Sequence, residues 1–415
     1  MTAAHVTPNP AERSGIFSEG PQLSAQAQTL LDEVFGAGAG ARHALRYPWQ
    51  YSQRVGASEP ARLELFWHLG RVVGSLGWLP DTVYIEGVAT PVRFTADLTS
   101  AAAYRNRGVG ARLLKRLMSE PVDAGTIPPL PLAMAVSPDA RSLLLRQGFE
   151  EVPLQVFFRV LSLEGLAHRK EPILMRDGRL APPARMLLRL ADGLEPSLEP
   201  LLGALSAARA ATELGSATAG RGQDKKSMSM HHRLWAQLQQ LPMRRRAARE
   251  VQVQEVSQPS QAVERLSQQL RTRWPVAFLT SQEQLQWRYR QHPQHSYRLL
   301  EASRAGVLTG LAYWRIFEEL DGLRMAHLME LIADPDDAGT WDALLHAGLA
   351  LLRHERVFAV KALSGHSGVS AWLARYAFLP HGDSPGLYFH APEPTRRAAL
   401  RRPWLVGLGA SDTDV

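Results

Sequence analysis

The chain has 415 residues, 45% of them hydrophobic, which is enough for more than one core because single cores stop growing near ~250–300 residues. It contains no cysteine, which excludes a disulfide framework, a cysteine zinc site and a thiol nucleophile, and its 14 histidines form no HExxH or comparable cluster, so no metal is expected. The formal charge of +7 comes from 42 Arg and only 5 Lys against 40 acidic residues, a compositional skew without the clustered basic face or stacking aromatics that nucleic-acid binding asks for.

Residues 1–24 are polar and proline-punctuated and are expected to be disordered. They show neither a basic n-region nor an apolar h-region, and no run approaches the ~20 apolar residues needed to span a bilayer. A soluble, cytoplasmic protein, monomer or homodimer, is therefore expected. The spacing predicts a helix over AQAQTLLDEVF (25–35), followed by the aromatic stretch RYPWQY (46–51). From 61 to 99 come strand-like segments, RLELFWHLG, RVVGSLGW, TVYIEG and PVRFTADL, with a hairpin turn at IEGVATP. The stretch YRNRGVGA (104–111) leads into a helix that runs to 119. A Pro-rich loop, TIPPLP, and a strand, LAMAV (132–136), come next. SPDARSLLLRQGF (137–149) reads as a short helix with Ser137 or Asp139 as cap and Gly148 as stop, and EEVPLQVFFRVLSL (150–163) reads as a strand.

Residues 164–248 differ in kind, with two plausible helices and then a low-hydrophobicity stretch, GSATAGRGQDKKSMSM, that reads as linker. Beyond it lie a strand (VQVQEV, 251–256), a helix (PSQAVERLSQQLRTRW) and the strands SYRLLEAS, GVLTGLAYWRIF and LRMAHLMELIAD. A helix at 340–355, the strand VFAVKAL (357–363), the segment VSAWLARYAFLP (369–380) and a last strand, GLYFHAP, complete the order. The two halves share this order of signals, each with a Trp-x-Tyr element (Trp49 and Tyr51; Trp287 and Tyr289) and an acidic strand end (Asp97; Glu330). The period of about 235 residues implies a duplicated domain rather than short repeats. The Trp-x-Tyr elements are expected to serve core or inter-domain packing.

Two glycines and two arginines stand where a strand hands over to a helix. The first N–H groups of a helix lack intrahelical acceptors and carry the positive end of its dipole. Residues 106–111 can therefore donate to a diphosphate, with Gly108 and Gly110 allowing close approach of the main chain and Arg105 and Arg107 adding charge. YRNRGVG opening a helix, with SPDARSLLLRQGF some thirty residues on, resembles the GNAT superfamily of N-acetyltransferases. Their pyrophosphate loop, Q/R-x-x-G-x-G/A, is matched by Arg105, Gly108 and Gly110, and the downstream segment ends in Gly-Phe.

The resemblance implies an α/β (α+β) chain of two GNAT-like domains, each a mixed, mostly antiparallel sheet with helices on both faces. Their extents are 25–163 and 249–392, with a tail at 393–415. It implies acetyl-CoA as cosubstrate, no metal, and a small-molecule or peptide amine as acceptor. The cofactor would meet Leu98, Thr99 and Ser100 on the strand, Arg105, Asn106, Arg107, Gly108, Val109, Gly110 and Ala111 in the loop, and Ser137. Asp97 and Glu86 are the candidates for assisting the attacking amine, since an amine must attack as the neutral base. Asp97 has an equally open alternative as a strand-end residue that only satisfies backbone donors.

Two positions depart from the family pattern. Ser137 stands where Asn is frequent, and Leu144 where a Tyr usually protonates the leaving thiolate. In the second half the stretch matching the loop, ADPDDAGTWDALL (333–345), is acidic and has one glycine, so it would repel a diphosphate. The expected function is transfer of an acetyl group to a primary amine in a ternary complex, with the second half idle toward cofactor. A non-catalytic acyl-CoA-binding or scaffold protein is the alternative, and a tRNA- or peptidoglycan-directed aminoacyl transferase ranks third.

Overall fold

The structure, a computed structural model, describes residues 14–56, 59–119, 128–135, 137–162, 250–319, 322–381 and 386–410. The expected helices and linker at 164–248 lie outside these residues. Residues 14–24, expected to be disordered, are ordered. Strand β1 (Ser14–Ser18) pairs antiparallel with β2 (Arg62–His68), and Ser24 caps helix α1 (Ala25–Phe35) by accepting from the Ala27 N–H.

Helix α1 runs over the predicted residues and packs on α2 (Ala39–Tyr47), whose last turn passes into a single π-helical turn at Pro48–Ser52. The wide turn is where RYPWQY lies, and it buries Trp49, Gln50 and Tyr51. β3 (Arg71–Ile85) is one long strand where the sequence suggested two. Its internal Gly77 is not a break, because a Cβ there would lie 1.9 Å from the Tyr51 hydroxyl. β3 turns at Glu86–Gly87 into β4 (Val88–Ser100). Helix α3 (Val109–Met118), strand β5 (Leu130–Ala135), helix α4 (Pro138–Arg146) and strand β6 (Glu150–Val152) follow. Helices cover both faces of this sheet. Side-chain positions at Gly74 point toward Val109 and Leu113 of α3, and those at Gly77 toward Tyr51 on the opposite face.

The segment 150–163 does not return as one strand. After β6 the chain crosses into the other sheet, where β7 (Gln155–Val160) pairs with β13 (Ala359–Ser364) and β14 (Leu379–His381). Reciprocally, β15 (Gly386–Phe389) lies between β5 and β6 in the first sheet. The second sheet runs β14-β7-β13-β12-β11-β10-β8, with β8 at Val251–Val256, β10 at Tyr297–Arg304, β11 at Val307–Glu318 and β12 at Arg324–Ala333. Two short strands, β9 (Val276–Ala277) and β16 (Trp404–Leu405), pair with each other, and β9 joins β3. The two halves therefore exchange their last strands. Each hydrophobic core draws on both, one including Val156 and Phe157 with the residues after 250, the other including Leu387, Tyr388 and Trp404 with the residues before 153.

Residues 393–410 are likewise integral rather than a tail. A helix at Pro394–Leu400 leads to β16 and to a 3-10 turn at Leu408–Ala410 that is buried throughout. Between the halves Trp49 and Trp287 stack with ring centroids 4.7 Å apart. Each indole N–H donates to the other residue's carbonyl, at 3.0 and 3.2 Å. The Trp-x-Tyr elements pack as expected, the two tryptophans between the halves and Tyr51 and Tyr289 within the two cores.

Candidate active site

Strands β4 and β5 are parallel neighbours from Val92–Leu130 to Thr95–Ala133 and do not pair beyond that point, although β4 continues to Ser100. At the parting point β4 carries a bulge. Ala96 pairs with Gly77 and Thr99 with Ser75, so two residues, Asp97 and Leu98, face one on β3. Asp97 has φ +48°, a left-handed conformation that costs a non-glycine residue ~1–2 kcal/mol. A bulge re-aims a side chain, and here it turns the Asp97 carboxylate under α1 and α2. Tyr51 donates to one oxygen at 2.7 Å and Arg46 to the other at 3.2 Å, while His43 Nδ1 is 3.6 Å away. The strained backbone is tied down by Ser75, whose hydroxyl meets the Asp97 carbonyl at 2.8 Å and the Thr99 hydroxyl at 2.6 Å.

Burial and the charge of Asp97 raise the Tyr51 phenol well above its ordinary range. Tyr51 therefore stays a neutral donor. Tyr47 is also raised, by burial first and then by Glu19 and Asp97, and it spends its proton on the Gly20 carbonyl at 2.9 Å. Of these partners of Asp97, only Tyr51 carried a sequence signal, the Trp-x-Tyr pattern. Arg46 and His43 sit on α2 with no signature of their own.

The loop before α3 turns through two left-handed residues. Asn106 has φ +61° and Gly108 φ +79°. The first helical bond runs from Arg112 N–H to the Gly108 carbonyl, so the N–H groups of Val109, Gly110 and Ala111 have no acceptor within the helix. The two glycines differ in what surrounds them. A Cβ on Gly108 would meet nothing within 4 Å, whereas one on Gly110 would lie 2.8 Å from Leu143 Cδ2. Gly108 leaves room at the surface, and Gly110 lets α3 close on α4. Arg105, Asn106 and Arg107 are exposed at the mouth, with Arg107 lying over the Tyr104 ring.

Other sequence candidates fall elsewhere. Glu86 is at the β3–β4 turn, the opposite end of the hairpin from Asp97, nine residues along β4, or roughly 30 Å of strand. It is exposed and ion-paired with Arg402. The structure does not bring Glu86 and Asp97 together. Ser137 uses its hydroxyl as the N-cap of α4, accepting from the Ala140 N–H at 3.2 Å. Leu144 is 1% exposed, inside the core. Among the described residues no group of three or more His, Asp or Glu could hold a metal ion, and no helix is long and apolar enough to cross a membrane.

No protein-family model and no curated protein sequence matches the chain. Solved structures do. A protein from Enterococcus faecalis V583, described as a probable N-acyltransferase, aligns over 91% of this chain and 72% of its own at 10% identity, with a TM-score of 0.53. A GCN5-related N-acetyltransferase from Anabaena variabilis aligns over the same shares at 11% identity and a TM-score of 0.50. Saccharomyces cerevisiae N-myristoyltransferase, solved with myristoyl-CoA, aligns over 93% and 80% at 13% identity and a TM-score of 0.51. The chain has the GNAT fold.

The second GNAT-like half repeats the arrangement with other neighbours. Its own π-helical turn, Gln286–Arg290, presents Tyr289, which donates to Glu330 at 2.7 Å just past a bulge in β12. Burial first, and then Glu330, raises Tyr289 as Asp97 does Tyr51. Here the C-terminal segment packs against β12 and Tyr289. A Cβ on Gly407 would lie 2.1 Å from the Met329 carbonyl, and one on Gly409 would lie 1.9 Å from the Tyr289 hydroxyl. The helix that corresponds to α3, Ala338–His354, has Asp337 as its N-cap, accepting from the Thr340 N–H at 3.1 Å and paired with Arg304 at 2.8 Å. A carboxylate of the chain thus occupies the helix end where a phosphate would bind.

Proposed function

We propose that the chain is an acyl-CoA-dependent N-acyltransferase, with acetyl-CoA as donor and a primary amine as acceptor, and that only its first half is active. The observation that carries this reading is a continuous set of features in that half. An open left-handed glycine loop stands at the N-terminus of α3, beside the point where β4 parts from β5, and the parting strand carries the bulged Asp97.

In this reading the free N–H groups of residues 109–111 bind the diphosphate, with Arg105, Asn106, Arg107 and Gly108 around it. The donor's arm lies along Leu98, Thr99 and Ser100, where β4 has no β5 neighbour. The neutral amine attacks the thioester carbon, the C–S bond breaks, and CoA leaves as its thiolate. The proton lost from nitrogen passes to Asp97, directly or through one water, and on to solvent. Tyr51 and Arg46 hold the carboxylate in one orientation for that transfer. Leu144 donates no proton and Ser137 serves as a cap, so a thiolate protonated from solvent is the route these residues support.

Calorimetry with acetyl-CoA tests the donor site. Gly108→Glu, which sets a carboxylate in the cradle, is expected to weaken binding at least tenfold, and unchanged affinity would refute the loop assignment. Release of CoA thiol across a panel of amines tests turnover, and Asp97→Ala is expected to lower it by about 10²–10⁴ with donor affinity retained. Tight donor binding with no release for any amine would favour the non-catalytic acyl-CoA-binding protein, the alternative that Leu144 motivates.

A further inference from the structure

Under α1 and α2, on the sheet face opposite α3, a narrow cleft ends against Asp97 and Ser75. It offers about 10 Å³, room for one water-sized group and no more. Ala27, Leu31 and Leu63 form its inner walls, each 4% exposed or less. The His43 side chain, at 21%, stands toward solvent.

The hydroxyls around this space are spent elsewhere. Tyr47 donates to the Gly20 carbonyl, Tyr51 to Asp97 and Ser75 to the Asp97 carbonyl, and the second Asp97 oxygen accepts from Arg46. A buried water typically makes about three hydrogen bonds. A small apolar group needs none, and on the inner side it meets the carbon of Ala27, Leu31 and Leu63.

Resting on the acyltransferase reading, we propose that this cleft is the acyl pocket, that it takes the methyl of an acetyl group, and that Ala27, Leu31 and Leu63 set the limit on acyl length. In that reading the reacting carbon lies where the donor's arm, running along Leu98, Thr99 and Ser100, reaches Asp97. Two groups meet at that carbon. The amine arrives from outside, so its body extends from the mouth into solvent. The acyl chain is confined to the space the fold leaves beside Asp97, which ends after one small group. A butyryl chain carries two further carbons into side chains of α1 and β2 that are already close-packed, and overpacking a core is costly.

The test is calorimetric binding of CoA, acetyl-CoA, propionyl-CoA, butyryl-CoA and octanoyl-CoA to the full chain. Butyryl-CoA and octanoyl-CoA are expected to bind at least tenfold more weakly than acetyl-CoA, with propionyl-CoA between, since one methylene too many is worth about tenfold or more. Leu31→Ala vacates the place of three side-chain carbons and is expected to bring butyryl-CoA to within about threefold of acetyl-CoA. Ala27→Val narrows the same space and is expected to weaken acetyl-CoA about tenfold. Neither variant is expected to change the affinity for CoA itself, which has no acyl chain. A wild type that binds butyryl-CoA as tightly as acetyl-CoA, or a Leu31→Ala variant that keeps the wild-type ratio, would overturn the proposal. If Leu31→Ala does not fold, the wild-type ranking and Ala27→Val decide. CoA binding that is indifferent to acyl length sinks the pocket assignment alone, whereas no binding of any CoA species sinks the acyltransferase reading with it.

Discussion

At the residue scale, the Tyr51–Asp97 pair joins conformational strain to a specific contact. A non-glycine residue at φ +48° persists only where its surroundings over-determine it, and here Ser75, Tyr51 and Arg46 do so. Tyr51→Phe removes one of two side-chain donors from a carboxylate whose side chain is 9% exposed. It is expected to cost ~1–3 kcal/mol of stability and to lower turnover while sparing acetyl-CoA affinity. Alkaline unfolding gives an independent readout. Tyr47, Tyr51, Tyr289 and Tyr313 are all raised above the ordinary phenol range, burial being the largest cause each time. The native state keeps these phenols protonated while the unfolded chain ionises them near pH 10. Their contribution is therefore fully present below pH 10 and lost as the pH rises above it, each phenol steepening the fall by up to about 1.4 kcal/mol per pH unit. Urea midpoints between pH 8 and 11 are expected to drop steeply in the wild type and less so in a Tyr51→Phe, Tyr289→Phe double variant. With only 5 Lys in the chain, few other groups titrate there to obscure the difference.

At the element scale, the loop before α3 was legible in the sequence because its job is done by backbone, and backbone demands show as glycine. What the sequence did not separate was the reason for each glycine. Gly108 is there for its φ of +79° and for open space, Gly110 for contact with Leu143. Gly108→Ala is expected to cost ~1–2 kcal/mol and to weaken acetyl-CoA binding by disturbing the N–H groups that follow it. Gly110→Ala pushes on the movable tip of Leu143 and gains ~1 kcal/mol of helix propensity, so its stability and donor affinity are expected to stay near wild type. Melting curves and donor titrations of the two variants side by side check the contrast. The Asp97 environment was less legible. Its partners come from α2 and the π-helical turn, 51 and 46 residues away in sequence, and a residue such as Arg46 acquires its role only from the bend that aims it. Ser137 marked its helix start correctly, since a cap is a local device.

At the scale of the whole molecule, the order of elements in each half was readable from hydrophobic periodicity, and strand ownership was not. Val156 and Phe157 form the same apolar pattern whether they pair with β5 or with β13, because alternation fixes which face is buried and not which neighbour supplies the hydrogen bonds. The exchange has a mechanical consequence. A fragment ending at residue 163, the boundary the sequence suggests, keeps β7 but loses β13 and β14, its partners. It also loses β15, which links β5 to β6, and the Trp287 ring stacked on Trp49. An interior row of the sheet would be missing, with the β5 edge unpaired and Leu132, Phe149 and Val152 uncovered, a surface that favours aggregation. Such a fragment is expected to show no cooperative thermal transition and to elute as aggregate on size exclusion. Supplying residues 250–415 in trans is expected to restore a single melting transition, because both missing strands return together. A fragment that melts cooperatively on its own would show that β15 and the Trp49–Trp287 contact are dispensable to the first half.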